Sequence, residues 1–241
     1  MPCRNKACPY GRPDTPAFVG FGSEIPSLCA GCQADDTAAE ESAELEARQA
    51  NAWAELRRGV REPLLSWTLE SYDDGDADRA AAARDAMVWA HRVIAGQPID
   101  LYLWGSVGAG KSGLAWSIAR ELAEVHGVPA AFVVWRDALA QLREMFDGGP
   151  GPDMRRLRRV PLLVLDDIGA EKPTEWASEQ LAGLVENRNG RLWTIYTSNY
   201  APSALLERLA RDDEVIGKRI VSRIQQAAVR IHLDGADRRL P

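Results

Sequence analysis

A glycine-rich segment at residues 105–112 carries the strongest chemical signal in this sequence. It reads GSVGAGKS and fits the pattern G-x-x-x-x-G-K-[S/T] at every fixed position. In such a loop the backbone N–H groups turn inward around a β-phosphate, and the helix that follows adds the positive end of its dipole. Lys111 would reach the β- and γ-phosphate oxygens, and Ser112 would bind Mg²⁺. The predicted phosphate site comprises Gly105, Ser106, Val107, Gly108, Ala109, Gly110, Lys111, Ser112 and Gly113.

A pair of acids follows an apolar run in the segment PLLVLDDIGAE at 161–171. If the run is a buried strand, it delivers Asp166 to the carboxyl edge of a sheet, where a carboxylate can act on Mg²⁺. Asp167 would then polarise the water that attacks the γ-phosphate. The alternative is that one or both aspartates only cap the next turn.

A third polar element ends another apolar run, in LWTIYTSNY at 192–200. Asn199 would lie at the same sheet edge, where an amide can hold the attacking water without adding charge. An isolated Ser-Asn would predict only a turn, but its position after two other nucleotide elements favours a functional role.

The elements that must position these residues alternate between apolar strands and helices. Strands are predicted at 99–104, 130–135, 160–165, 192–197 and 228–233, and helices at 76–95, 111–126, 137–146, 174–188, 203–209 and 215–225. Asp137 is the predicted cap of the helix at 137–146. Fully apolar strands that alternate with helices indicate an α/β fold, with a parallel sheet covered by helices on both faces.

Composition limits the classes of protein that this chain can represent. No apolar run approaches the ~20 residues of a membrane-spanning helix, and the polar start of the sequence predicts no secretory signal. We therefore expect a cytoplasmic protein in a reducing compartment. The net charge of −6 argues against a protein that coats nucleic acid indiscriminately. A local basic surface remains open, because arginines occupy positions 155, 156, 158 and 159 and recur near the end of the chain.

The domain organisation follows from changes in composition. Residues 1–34 contain all four cysteines with several Pro and Gly, residues 35–62 are rich in helix formers, and the α/β pattern fills residues 63–241. We predict a zinc-binding module, a helical linker and an ATPase domain, in that order. Two close cysteine pairs suit tetrahedral zinc, whereas two disulfides are the alternative. The predicted zinc ligands are Cys3, Cys8, Cys29 and Cys32.

The ordered set GSVGAGKS, LLVLDDIGAE, TIYTSN and GKRIVSRI resembles the AAA+ branch that contains the DnaC and DnaI helicase loaders and the IstB transposition helpers. The resemblance covers about residues 63–241 and implies ATP and Mg²⁺ as cofactors, with ATP bound between neighbouring subunits. It further implies that Arg223 touches the γ-phosphate of the next subunit, with Arg219 beside it. A solvated basic face is the alternative for both arginines. Arg239, or else Arg238, matches the sensor arginine of the family.

The partners of the chain are also implied by this resemblance. The cysteines favour a DnaI-like loader of a DnaB-type replicative helicase onto single-stranded DNA, because such loaders have a zinc-bearing N-terminal domain that binds the helicase. Arg155, Arg156, Arg158 and Arg159 would contact the DNA phosphates, or else form an ordinary charged surface. The alternatives are an IstB-like helper ATPase on duplex DNA and an ATP-gated adaptor that hydrolyses weakly, since Asp167 stands where most AAA+ proteins have the longer glutamate. A small-molecule kinase fits worst, because no acceptor pocket is evident.

Overall fold

The computed structural model of the chain describes the backbone of residues 30–72, 76–145, 149, 151–211 and 213–235, and side chains from residue 35 onward. The chain forms two compact units, residues 1–48 and residues 49–241. The division falls inside helix α1 (Ala30–Leu56), and the boundaries predicted at 34/35 and 62/63 stay predictions. In the described ranges, no helix has the length and apolar character needed to cross a membrane.

Five parallel strands form one sheet in the second unit, which confirms the α/β prediction. They are β1 (Asp100–Gly105), β2 (Ala130–Val134), β3 (Leu162–Asp166), β4 (Trp193–Ser198) and β5 (Ala228–Leu233), arranged in the order β2-β3-β4-β1-β5. The helices after α1 are α2 (Leu69–Tyr72), α3 (Ala77–Ile94), α4 (Lys111–Glu124), α5 (Trp135–Glu144), α6 (Met154–Leu157), α7 (Glu175–Arg188), α8 (Pro202–Leu209) and α9 (Glu214–Ala227). Every strand therefore ends at the same edge of the sheet as β1, where the phosphate loop begins.

The sheet is buried because helices pack against both of its faces. One hydrophobic cluster joins α3 and α4 to the sheet around Trp89 and Trp116. The other joins α5, α7 and α9 to the opposite face around Trp135, Leu181 and Ile220. Burial on both faces explains why β2 and β3 are almost uniformly apolar. The edge strand β5 instead alternates, with exposed Arg230 and His232 on either side of the buried Ile231.

Three local features differ from the sequence prediction. Helix α5 begins at Trp135, so Asp137 lies in its first turn and the prediction that it caps the helix was wrong. Helix α1 begins at Ala30, so residues 30–34, at the end of the predicted zinc-binding module, have a helical backbone that the sequence did not predict. Helices α2 and α6 were missed because each has only 4 residues, too few to display a helical period.

A buried arginine holds together the amino-terminal edge of the sheet. Arg188, at the end of α7, is 0 % exposed and donates hydrogen bonds to the carbonyls of Leu157, Val160, Pro161 and Trp193. Its Nε also donates to Thr194 Oγ1 over 3.1 Å. Burial lowers the pKa of Arg188 to about 10, so the guanidinium stays charged near neutrality. This one side chain therefore ties α6 and α7 to the starts of β3 and β4.

Asp100 is the buried carboxyl of the same edge, and its protonation should make stability depend on pH. Its Oδ1 accepts a hydrogen bond from the Thr194 amide over 2.8 Å, yet burial raises its pKa from 3.8 to about 7. The folded state therefore binds the proton more tightly than the unfolded state, and stability falls as the pH rises from about 4 to about 7. Asp100→Asn cannot ionise, so its free energy of unfolding relative to wild type should rise by about 2 kcal/mol between pH 5 and pH 7. Urea denaturation at both pH values measures this difference, and a difference that stays constant with pH would contradict a neutral buried Asp100.

Candidate nucleotide site

The phosphate loop connects β1 to α4 and depends on glycine at two strained positions. Gly105 has φ +144, and a Cβ there would lie 1.7 Å from the Leu233 carbonyl oxygen on β5. Gly110 has φ +93 in the left-handed region and occupies the N-cap of α4. These positions let the loop turn back over the N-terminus of α4, where backbone N–H groups favour an anion.

Lys111 lies inside this loop and is only 7 % exposed. Its Nζ donates to the carbonyls of Gly105 and Ser106 over 3.0 Å and 2.7 Å. The ammonium group is therefore held at the loop, next to the α4 N-terminus, where a phosphate would gain both a charge and a helix dipole.

The acids lie at the carboxyl end of β3, joined to β4 by one hydroxyl. Thr197 Oγ1 donates to Asp166 Oδ1 over 2.7 Å and accepts from the Asp167 amide over 2.8 Å. Asp167 has φ +59, a left-handed conformation that is uncommon outside glycine. Asn199 Nδ2 donates to Asp167 Oδ1 over 3.0 Å. The two acids and the amide predicted from separate segments thus form one hydrogen-bonded group.

Burial sets the electrostatics of Asp166. Desolvation raises the pKa of its carboxyl above the usual range, while hydrogen bonds from the Thr197 and Ser112 hydroxyls and the charge of Lys111 oppose that shift. A buried carboxyl that is costly to ionise gains from a cation placed beside it. Ser112 and Asp166 both supply oxygen donors, which Mg²⁺ prefers. The residues present therefore fit a magnesium ion.

The turn after the acids is fixed by residues that the sequence reasoning did not assign. Ser198 Oγ donates to the Ile168 carbonyl, and the Gly169 amide donates to Glu171 Oε2 over 2.8 Å. Arg208 on α8 donates to the carbonyls of Gly169 and Glu171. Burial raises the pKa of Glu171. Gly169 and Glu171 therefore connect the acidic turn to Arg208 on α8, which is a structural role.

A cavity of about 640 Å³ joins these groups, and the predicted residues Lys111, Ser112, Asp166, Asp167 and Asn199 all line it. This volume is within the ~300–1,000 Å³ of ordinary ligand sites. An apolar side was missed by the sequence reasoning and comprises Pro63, Leu64 and Trp67. A Cβ on Gly113 would lie 2.6 Å from the Trp67 ring, so glycine at 113 lets this ring approach α4. An apolar wall beside a phosphate loop offers a surface to a planar base.

The arginines on α9 lie apart from the cavity lining. Arg219 and Arg223 both face Glu186 on α7, and their side chains are 52 % and 42 % exposed. Neither lines the cavity. Arg238 and Arg239 fall outside the described residues, as do Cys3, Cys8, Cys29 and the side chain of Cys32. In the part of the chain that is described, no group of three or more His, Cys, Asp or Glu could hold a metal ion.

The arginine group at 155–159 divides into two kinds of side chain. Arg155, Arg158 and Arg159 are exposed. Arg156 instead pairs with the Glu55 carboxylate over 2.7 Å and also donates to the Glu55 carbonyl. Arg156 is therefore engaged within the chain and is a poorer candidate for a phosphate contact than its three neighbours.

Comparison with known proteins identifies the family. The family described as "IstB-like ATP binding protein" matches residues 42–241. The chain belongs to this family. It is 29 % identical over 191 residues to the replicative helicase loader DnaI of Bacillus subtilis (strain 168), covering 76 % of this chain and 61 % of that protein. It is 33 % identical over 154 residues to an insertion sequence ATP-binding protein, y4pL, of Sinorhizobium fredii (strain NBRC 101917 / NGR234), covering 60 % of each.

A solved structure of DnaI has the same fold as this member of the IstB-like family. The two superpose with a TM-score of 0.60 at 28 % identity, covering 73 % of this chain and 95 % of that one. The five-stranded parallel sheet with its phosphate loop is thus the AAA+ P-loop fold. The chain spans less than two thirds of the length of the two curated relatives that it matches. The shared fold therefore does not by itself assign the activities of those whole proteins to this chain.

Thr197 provides a direct test of the acidic group. Thr197→Val keeps the shape of the side chain but removes the hydroxyl that joins Asp166 to the Asp167 amide. Nucleotide affinity measured without Mg²⁺ should change little, because the phosphate loop is intact, whereas the rate of ATP hydrolysis should fall by about 10-fold or more as the acids lose their alignment. The measurements are equilibrium binding of a fluorescent ATP analogue and steady-state phosphate release. Full hydrolysis by a folded Thr197→Val protein would mean that this hydroxyl does not organise the site.

Proposed function

We propose that this protein is an ATPase that loads a DnaB-type replicative helicase onto single-stranded DNA. The observation that carries the proposal is the convergence of Lys111, Asp166 and Asn199 on one cavity at the carboxyl edge of an AAA+ sheet. The similarity to a helicase loader over 76 % of the chain supports the choice among ATPase functions.

Each residue of the site has a distinct task in this proposal. Lys111 binds the β- and γ-phosphates, and Ser112 and Asp166 hold Mg²⁺, which when bound would neutralise phosphate charge. Asp167 polarises the attacking water, and Asn199 positions it through an amide. Thr197 holds the Asp166 carboxylate and the Asp167 backbone in fixed positions relative to each other. Because aspartate is one methylene shorter than glutamate, hydrolysis is expected to be slow.

The arginine of the site comes from a second subunit. Arg223 is nearly half exposed and does not line the cavity of its own chain, which suits a group that acts on a neighbour. We therefore infer self-association through the AAA+ domain, with ATP at the interface. Arg239, or else Arg238, would sense the nucleotide from the end of the chain.

The N-terminal module supplies the contact with the helicase. Cys3, Cys8, Cys29 and Cys32 have the spacing of a four-thiolate zinc site, and such a module would fold on binding the metal. Metal analysis of protein purified without chelators should find one zinc per chain, and its loss in a Cys29→Ser, Cys32→Ser double variant would assign the ligands. Protein without zinc would overturn this part of the proposal.

Transposition is the second candidate function, because the insertion sequence relative is 33 % identical, slightly more than the loader, although over a shorter segment. An IstB-like helper would act on duplex DNA with a transposase. A third candidate is an ATP-gated adaptor that barely hydrolyses ATP. Co-purification from the source with and without ATP separates the loader from the transposition helper: the replicative helicase is expected in the eluate, and a transposase in its place would contradict the loader.

The shared site can be tested by mixing variants. Lys111→Ala should lose ATP affinity and activity together, because a positive charge disappears from the phosphate loop. Arg223→Ala should keep ATP binding while turnover falls by about 100-fold, because its charge acts mainly during transfer. Mixing the two proteins should restore part of the activity at interfaces that pair an intact loop with an intact arginine. A mixture that stays inactive while both variants assemble, or normal turnover by Arg223→Ala, would contradict the shared site.

Single-stranded DNA binding can be tested with the exposed arginines. Replacing Arg155, Arg158 and Arg159 by alanine should weaken binding of all sequences alike and flatten its dependence on salt. Arg156→Ala is the matched control, because that arginine is already paired with Glu55 and should change the salt dependence little. Fluorescence anisotropy with labelled oligonucleotides at several salt concentrations measures both. An unchanged slope in the triple variant would make this group an ordinary charged surface.

A further inference from the structure

A single carboxylate lies between the two arginines of α9. Glu186, in the last turn of α7, accepts a close hydrogen bond from Arg219 through Oε1. The same Oε1 lies 3.7 Å from Arg223 Nε. The three side chains are 52 %, 42 % and 30 % exposed for Arg219, Arg223 and Glu186, so solvent reaches all of them. Glu186 is therefore shared unequally, with Arg219 as its main partner.

The backbone of α9 at this point is fixed independently of the carboxylate. Asn189, which follows α7, donates from Nδ2 to the Arg223 carbonyl over 3.1 Å. Gly217 brings α9 close to α8, since a Cβ there would lie 2.8 Å from the Ala210 amide nitrogen. These contacts hold the helix in place, so Glu186 affects mainly the direction in which the guanidinium groups of Arg219 and Arg223 point.

We propose that Arg219 does not contact the phosphate and instead occupies Glu186, so that Arg223 can reach the nucleotide of the neighbouring subunit. The inference rests on the shared site of the proposed function. It makes Arg219 a positioning residue and Glu186 a competitor of the phosphate for Arg223.

The competition follows from the charges involved. One carboxylate between two guanidinium groups leaves a net charge of +1 on the three side chains. Arg223 is held more loosely than Arg219, so it is the arginine that a phosphate can draw away from Glu186. Removing Arg219 leaves Glu186 with Arg223 alone, and a carboxylate and an arginine readily form a bidentate pair. Arg223 would then have to break that pair before it could bind a phosphate. An exposed ion pair is weak, so this penalty is modest compared with the loss of a phosphate contact itself.

The decisive experiment is a double-variant cycle on ATP turnover. Arg219→Ala should lower turnover about 3-fold to 5-fold, the upper end for one partly exposed ion pair, and far less than Arg223→Ala. Glu186→Gln should turn over ATP at or above the wild-type rate. The double variant Arg219→Ala, Glu186→Gln should return to within about twofold of wild type, since no carboxylate remains to capture Arg223. Arg219→Lys should also be active, because any cation at position 219 that pairs with Glu186 keeps this carboxylate from capturing Arg223.

A matched control lies on the same helix. Lys218 pairs with Glu214 at i, i+4, and both are well exposed. Lys218→Ala removes a cation from α9 without releasing Glu186 and should leave turnover unchanged. Thermal melting of every variant checks that α9 stays folded.

The outcomes separate this inference from the proposed function. A double variant as slow as Arg219→Ala, or an Arg219→Ala loss as deep as that of Arg223→Ala, would mean that Arg219 contacts the phosphate itself. Unchanged turnover by Arg219→Ala would mean that the ion pair has no role. Normal turnover by Arg223→Ala would instead overturn the shared site, whatever the cycle gives.

Discussion

The hydroxyl of Thr197 is the contact on which the candidate site depends. It donates to the Asp166 carboxylate and accepts from the Asp167 amide, so it joins the carboxyl ends of β3 and β4. Asn199, two residues further on, can then reach Asp167. Because parallel strands end at one edge, this bridge fixes the acids relative to the phosphate loop at the end of β1. Without the Thr197 hydroxyl, only the turn itself would hold the two acids, and this turn has an uncommon left-handed conformation at Asp167.

The opposite edge of the sheet is held by the buried Arg188, and the helix that carries it, α7, also contacts the arginines of α9. The last turns of α7 contain Arg188, which ties β3 and β4 to α6, and Glu186, which faces the arginines of α9. The exposed arginines at 155–159 lie on or next to α6, and Arg188 donates to the carbonyl of Leu157, the last residue of α6. The carboxyl end of α7 therefore contacts the sheet, the segment beside the proposed DNA contact and the proposed arginine of the neighbouring site.

The sequence predicted the strands and the residues of the phosphate loop, because these depend on local rules. Apolar runs, a glycine pattern and acids placed directly after strands are visible without knowledge of the fold. The roles of Thr197, Trp67 and Arg188 were not visible, since each depends on a partner 30 or more residues away, such as Asp166, Gly113 and Leu157. Arg156 was grouped with its neighbours for the same reason, because only the fold brings Glu55 beside it. Periodicity reveals which face is buried, but not which polar groups meet there.

The central claim is that the carboxyl edge of this sheet binds ATP together with Mg²⁺ through Lys111, Ser112 and Asp166. Isothermal titration with ATP, in the presence and absence of Mg²⁺, tests it most directly when wild type is compared with Asp166→Asn. The account predicts one ATP per chain, with an affinity that Mg²⁺ raises in wild type but not in Asp166→Asn. Equal enhancement by Mg²⁺ in a folded Asp166→Asn protein, or no ATP binding by wild type, would contradict it.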